Sequence, residues 1–338
     1  MFVRLTTYHP DDVEFLDVAC PQDAPVLQKN NKIKILSWNI QFLAGKNYIF
    51  FFDEENNTGP DTMPLKKDIE YTLQEVVRII KDENPDIVLF QEVDHNAKRT
   101  YHEDQLEKIL SELPQYNCHS SAMYWQALYV PHPKINGSVG MKLSTISKYK
   151  IQKAVRYQLP VKPSNFIFKN FELKRAVLET AFFVEQTPSF SVFNTHFDAF
   201  AQGSDTMERQ VEKTKNLLFD TTKKGNSWII GGDFNLLATK SAYEKLKDSQ
   251  KYLYKPESEL KIFFEKFNSM PSISEIDSHE SEKWFTHFPN DSDISEPDRT
   301  IDYIFYSDEI KILEKHVRQN DTQKISDHLP LVMSFTIK

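Results

Sequence analysis

Two cysteines in 338 residues, Cys20 and Cys118, are too few for a disulfide scaffold or a cysteine-rich zinc site. They fit a reducing compartment, where thiols stay free. The chain also lacks a long apolar run. Its best candidate, Tyr48 to Phe52, falls far short of the roughly 20 residues that span a bilayer. The opening Met1-Phe2-Val3-Arg4-Leu5-Thr6-Thr7-Tyr8 has no basic stretch followed by an apolar core, so no secretory signal is expected. The default expectation is a cytoplasmic monomer, with export by a route that needs no signal peptide left open. A basic excess is missing too: 41 Lys and Arg face 49 Asp and Glu, for a net charge of -8. Polynucleotide binders usually present positive surface to phosphates and release counterions. This balance weighs against tight non-specific DNA binding and leaves room for a local basic groove only.

What the chain has is 40% hydrophobic and 13% aromatic residues, enough for a full globular core. Residues 1–31 are polar, contain Pro21 and Pro25, and are expected as an N-terminal extension, packed on the domain or loosely held, to one domain over residues 32–338. Alternation in Ile33-Lys34-Ile35-Leu36 predicts a strand, and the wholly apolar Ile87-Val88-Leu89-Phe90 predicts a buried one. Ile69, Leu73, Val76, Val77 and Ile80 recur at helical spacing up to Asn84-Pro85. A second helix is predicted from Leu106 to Leu113, stopped by Pro114, and a third over 205–219. Further strands are predicted at 139–147, 174–184, 190–195, 228–230, 301–306 and 330–337. Asn56-Asn57-Thr58-Gly59-Pro60 signals a turn, and the polar, acidic stretches 247–260 and 275–298 read as surface loops. Many strands follow one another without a helix between them. That pattern predicts mixed sheets with helices outside rather than a regular parallel repeat.

The polar residues of interest share one placement. Asn39 follows the first strand, Glu92 the strand at 87–90, and His196 the strand at 190–195. Asp233 and Asn235 follow Trp228-Ile229-Ile230 after Gly231-Gly232, Asp302 lies within 301–306, and Asp327-His328 precede the last strand. Strand ends are where a rigid sheet can present a site. The set is rich in carboxylate and amide oxygens, has no cysteine, and contains no His-x-x-x-His spacing, which suits a hard cation such as Mg²⁺ or Mn²⁺.

Ser37-Trp38-Asn39-Ile40, Gln91-Glu92, Asn194-Thr195-His196, Gly231-Gly232-Asp233-Phe234-Asn235, Ile301-Asp302-Tyr303 and Ser326-Asp327-His328-Leu329-Pro330 resemble the ordered motif set of the endonuclease/exonuclease/phosphatase superfamily. Each motif is short, and the specificity lies in their shared order. The resemblance implies an α+β fold, a four-layer α/β/β/α sandwich of two mixed β-sheets flanked by helices. It also implies a divalent-metal-dependent phosphoester hydrolase that uses an activated water. By the same resemblance Glu92 is the principal metal carboxylate, Asn39 its neighbour that binds metal or orients water, and Asp327 a residue near the metal. Asp233 orients or deprotonates the water, Asn235 contacts the scissile phosphate, and His196 faces it. Asp302 holds His328 in one tautomer; which of Asp233 and His328 takes the proton stays open. Arg175 and Arg209 match recurrent arginines that contact phosphate or form structural ion pairs.

The chemistry fits without any family. A phosphoryl centre needs a cation, an oriented water, and donors for its growing equatorial charge. The substrate expectation is a small or lipid-borne phosphoester; the rivals are DNA or RNA, and a binding protein without turnover. Residues 45–64 and 156–172 are longer than in compact apurinic endonucleases of this superfamily, and Leu236-Leu237-Ala238-Thr239 replaces the motif of its 5-phosphatases. Elsewhere, the aromatic run Tyr48 to Phe52 is expected to pack under a loop, with a membrane-touching role as the alternative. Trp125 and Tyr129 fit either a substrate cleft or one helix face, and Lys98-Arg99 a solvated pair.

Overall fold

In the computed structural model, residues 4, 6–54, 57–165, 168–185, 189–199 and 201–338 are described. Residues 1–3 and 5 of the expected N-terminal segment, and Asn56 of the expected turn, lie outside them. One sheet has seven strands, in the spatial order Val13–Leu16 (β1), Ile151–Gln158 (β7), Ala176–Phe182 (β8), Phe190–His196 (β10), Ser227–Asp233 (β11), Asp302–Tyr306 (β13) and Asn268–Met270 (β12). The other has six: Ile310–Val317 (β14), Leu331–Ile337 (β15), Ile33–Asn39 (β3), Ile87–Asp94 (β4), Gly137–Ser147 (β6) and Cys118–Val130 (β5). Leu27–Gln28 (β2) pairs with Val184–Glu185 (β9). Both large sheets are mixed: β3 and β4 run parallel, as do β10 and β11, while their outer neighbours are antiparallel.

The layering follows from side-chain alternation. Along β3 and β4, Ile35 and Leu89 face Val192, Ile229 and Ile304 of the other sheet in one apolar cluster. Their sequence neighbours Leu36, Val88 and Phe90 point the opposite way, onto Lys66–Glu83 (α1) and Gln105–Glu112 (α2). In the seven-stranded sheet, Phe193, Ile230 and Phe305 face Met207, Val211 and Leu218 of Thr206–Lys223 (α3). Helix, sheet, sheet and helix are therefore stacked, and central strands read as unbroken apolar runs because both of their faces are covered. The α1 stripe of Ile69, Leu73, Val76, Val77 and Ile80 is buried, and the helix ends where Asn84 turns left-handed (φ 48°) before Pro85. α2 starts at Asp104, whose carboxylate accepts from the Leu106 and Glu107 amides.

Several expectations are corrected here. Cys20 and Cys118 form a disulfide. The antiparallel bridge between Ala19 and His119 brings their neighbours together, a pairing invisible at a separation of 98 residues. The thiols therefore no longer argue for a reducing compartment. The segment before residue 32 supplies β1 at the edge of the seven-stranded sheet as well as β2. Trp125 and Tyr129 lie on a strand, not a helix, because a spacing of four keeps one face under either period. The stretch 275–298 includes part of a short helix, Ile273–Ile276, with a Ser272/Glu275 capping box. Among the described residues no helix is long and apolar enough to cross a membrane.

Candidate active site

Register assembles the site. His196 is paired with Asp233 across β10 and β11, and Asp233 with Asp302 across β11 and β13. Three ionisable side chains thus line up across one end of the seven-stranded sheet. Asn39 is paired with Gln91 across β3 and β4 at the facing end of the other sheet. The register of β4 against β6 shifts between Phe90 and Val93, and Glu92 lies in that bulge with a left-handed backbone (φ 56°). Asn235 is likewise left-handed (φ 51°). Such conformations cost about 1–3 kcal/mol in a non-glycine residue and gather where a side chain must be re-aimed. Gly232 has φ 150°, and a Cβ there would collide with the Thr195 carbonyl oxygen of the neighbouring strand. Two motif residues serve the scaffold: Gln91 donates to Asn194 Oδ1 (2.7 Å), and Asn194 donates to the Phe90 and Ser144 carbonyls (3.0 and 3.1 Å). These bonds join the two sheets beneath the site.

Asp233 is the hub. Its Oδ2 lies 3.2 Å from His196 Nε2, 3.5 Å from His328 Nε2 and 3.1 Å from the donating Asn39 Nδ2. Behind His328, Asp302 Oδ2 is 2.8 Å from Nδ1, which fixes the ring. The His328 carbonyl accepts from Trp38 Nε1 (2.8 Å), and Ser326 Oγ donates to the Asn39 carbonyl (2.8 Å). Asn235 Nδ2 donates to the Phe197 carbonyl (3.1 Å) and its amide to Asp233 Oδ1 (2.9 Å). Glu92, His196, Asp233, Asn235, Asp327 and His328 open onto one cavity of about 140 Å³. Asn39 and Asp302 stand behind this lining, each bonded to a residue in it.

Burial opposes the charged form of His328, yet the carboxylates of Asp302 and Asp233 outweigh it and hold the imidazole well above the ordinary histidine range. His196 is pushed far below that range by burial, then by Arg175 and His328, and is neutral. Burial, then the charges of Asp302 and Glu92, raises Asp233 above an ordinary carboxylate, although His328 opposes them. Glu92 is raised by burial and by Asp327. Asp53, also in the cavity, is pushed up to about 8 by burial, Asp327 and Glu92. These acids stay raised although His328 and Arg175 oppose the shift, because burial and their mutual repulsion outweigh those cations. Glu92, Asp233 and Asp327 offer this cavity carboxylate oxygens, the donor type that a hard divalent cation takes. Among the described residues the side chains close enough together to share an ion are His287, Asp327 and His328, and Asp233, Asp302 and His328.

Arg175 is buried and lines the same cavity, with its guanidinium 5.2 Å over the Tyr124 ring. Arg209 is not brought to it. It lies on the outer face of α3, exposed, 3.7 Å from Asp205. Lys98-Arg99 is half corrected: Arg99 turns inward, bonded bidentately to buried Asp94 and stacked 3.5 Å over Phe42. The sequence reading missed His287, whose ring centroid is 4.5 Å from that of His328 and whose Nε2 is 3.9 Å from Asp327. It also missed Arg299, Tyr254 and Asp53. Tyr254 and His287 lie in the stretches read as loops, Arg299 directly after one of them, and Asp53 between the aromatic run and the turn signal. Lys46 anchors one of these loops, donating to the Phe288 and Pro289 carbonyls and to Asn290 Oδ1.

No curated protein matches the chain by sequence. Among solved structures, an endonuclease/exonuclease/phosphatase from Beutenbergia cavernae is similar over 90% of this chain and 72% of its own, at 17% identity and a TM-score of 0.59. The human Nocturnin catalytic domain, solved with a bound sulfate anion, is similar over 96% and 98%, at 18% identity and a TM-score of 0.55. TDP2 from Caenorhabditis elegans is similar over 90% and 75%, at 15% identity and a TM-score of 0.51. Identities this low speak for the shared fold. The sequence profile of the Endonuclease/Exonuclease/phosphatase family matches residues 36–328, which takes in every site residue named above, and on that match the chain belongs to this family.

Proposed function

We propose that the chain is a Mg²⁺- or Mn²⁺-dependent hydrolase of a small or lipid-borne phosphoester. The observation that carries this reading is the array Asp302–His328–Asp233, whose His328 and Asp233 line one small cavity together with Glu92 and Asp327. Glu92 and Asp327 would hold the cation, with Asn39 on the strand beside Glu92. Such a cation, when bound, polarises a phosphoryl oxygen and acidifies water. Asp233, held above the ordinary carboxylate range, is matched to taking a water proton near neutrality. His328, kept cationic by Asp302, donates to a phosphoryl oxygen rather than accepting a proton. Neutral His196 orients Asp233 from the other side, and the Asn235 amide and Arg175 meet the remaining phosphoryl charge. A net charge of -8 and an Arg99 committed to Asp94 support a small ester over a polynucleotide.

The test is a panel of bis-p-nitrophenyl phosphate, sphingomyelin, phosphoinositides, plasmid and abasic DNA, with Mg²⁺ or Mn²⁺ added. Turnover abolished by chelator is expected, and no turnover of any member would overturn the reading. Preference for DNA would put the nuclease alternative first. Glu92→Gln should weaken Mg²⁺ binding in calorimetry by roughly tenfold or more, since losing even an outer-shell partner costs about 10–100-fold.

A further inference from the structure

Beside the catalytic cavity lies a larger one of about 440 Å³, and the two share Phe52, Glu92 and Arg175. The smaller has room for a phosphoryl group and its water, so the organic arm of an ester must lie elsewhere. The larger falls in the size range of small-molecule sites. Its aromatic lining comes from three separate segments: Phe51 and Phe52, Trp125, and Phe171. These rings are braced. Trp125 Nε1 donates to the Phe171 carbonyl (2.8 Å), Phe51 stacks on His132 with centroids 5.4 Å apart, and Phe52 stacks on Phe50 at 5.5 Å.

The polar groups on this lining are largely committed. Lys98 Nζ donates to the Asn136 carbonyl (2.8 Å), and Arg99 is bonded to Asp94. Asn136 Oδ1 accepts from Tyr129 (2.6 Å), and Ser138 Oγ donates to the Asn96 carbonyl (2.8 Å). Arg175 differs. Its Nε and Nη1 are buried and have no hydrogen-bond partner among the described residues. Arg175 is thus the buried cation left for a phosphate at the mouth; the chamber beyond it offers mainly ring faces, with Lys134 exposed on its lining and Glu172 as a further carboxylate.

We infer that this chamber binds the non-phosphate arm of the substrate, and that this arm is an uncharged, flat aromatic ring system carried on a small phosphoester. The inference rests on the proposed hydrolase reading, which supplies the phosphate end. Recognition is by stacking and shape, so the chamber accepts differing rings and favours them over alkyl arms of similar area. A polynucleotide would need further unspent cations along a groove.

Calorimetry on the full chain with Mg²⁺ tests this with phosphonates, which the enzyme cannot hydrolyse. Benzylphosphonate should bind roughly tenfold or more tighter than methylphosphonate, the scale of a stacked ring. Phe51→Ala should bring that ratio close to one; Phe171→Ala, also half-buried, replaces it if the first variant does not fold. Equal affinities in the unmodified chain would overturn the inference and leave hydrolysis standing. Decylphosphonate binding as tightly as benzylphosphonate would assign the chamber to an acyl chain instead. A ten-nucleotide single strand outcompeting benzylphosphonate at ~0.15 M salt, where weak charge effects are screened, would assign it to a polynucleotide. A ratio that persists in a chain with no turnover on the panel would remove the hydrolase reading alone.

Discussion

At the C-terminal end of α1, Glu83 accepts from Arg318 Nη1 (3.2 Å), lies 3.2 Å from His316 Nε2, and has Lys34 at 3.5 Å. The bond to His316 outweighs burial and, with the nearby cations, holds Glu83 down at about 2. Arg318 and Arg78 likewise hold Asp321 far below the carboxylate range. In the cleft, Glu92, Asp233 and Asp53 are shifted the other way, by burial and by other carboxylates. The groups are the same and the fold is the same. What differs is burial first, which dominates in the cleft, and then the bonds to cations, which dominate in the outer cluster. The outer cluster ties a helix end to β14 and β3 and stabilises the fold; the cleft keeps charges together against the preference of the folded state. Sites of this second kind exchange stability for activity.

The largest effect that could sharpen the contrast lies at Asp302. Asp302→Asn removes the carboxylate that fixes His328 and should lower kcat by about 10²–10⁴-fold, with a smaller change in KM. The double variant with His328→Ala should be no slower than His328→Ala alone, because both changes break one unit. Additive losses in steady-state kinetics would show that the two act separately. Thermal unfolding should change little, and a large drop would place Asp302 with the outer cluster.

The next effect is structural and should leave the cleft chemistry in place. Replacing Cys20 and Cys118 by serine and alanine opens a link between the N-terminal segment and β5 that spans 98 residues. Closing a loop of this length stabilises by about 2–5 kcal/mol. Urea unfolding of oxidised, reduced and substituted chains should show that loss, equal for reduction and substitution. Activity in the folded double variant should survive. Indifference of the midpoint to reductant would mean that the pairing does not hold the fold.

This link and the cleft also differ in how far the sequence foretold them. Asn39, Glu92, His196 and Asp233 were legible because each ends or follows an apolar run, and a polar residue there has few other reasons to exist. Register could not be read. It was the pairing of β10 with β11 and of β11 with β13 that put His196, Asp233 and Asp302 side by side. Cys20 and Cys118 carry no local signature of meeting. His287 lies within, and Arg299 directly after, a stretch whose acidic, polar composition describes its outer surface and hides its inner one. Trp125 was ambiguous because a spacing of four satisfies strand and helix alike, and the register shifts in β5 then separate half-buried Trp125 from exposed Tyr129. Arg209 fitted a pattern at the level of spacing, but its face of α3 looks outward.

The smallest effect compares the signs of the two clusters directly. Glu83 titrates near 2 in the folded chain against 4.5 ordinarily, so its stabilisation is present above about pH 4.5 and is lost as pH falls toward 2. Glu83→Gln should therefore flatten the acid limb of a Tm-versus-pH curve and lower stability at neutral pH by less than about 1 kcal/mol, the range of a partly exposed pair. Asp53 runs in reverse. Its folded value of about 8 exceeds the ordinary 3.8, so the folded state keeps a proton that the unfolded chain releases. Stability should then decline as pH rises from about 4 to 8, and Asp53→Asn should remove that decline. Thermal unfolding from pH 3 to 9, with chelator present so that no cation neutralises the cleft, reads both slopes in one experiment. Opposite changes in slope for the two variants are expected. Slopes of the same sign would mean that the two clusters are not electrostatic opposites, and that burial does not hold the proton on Asp53.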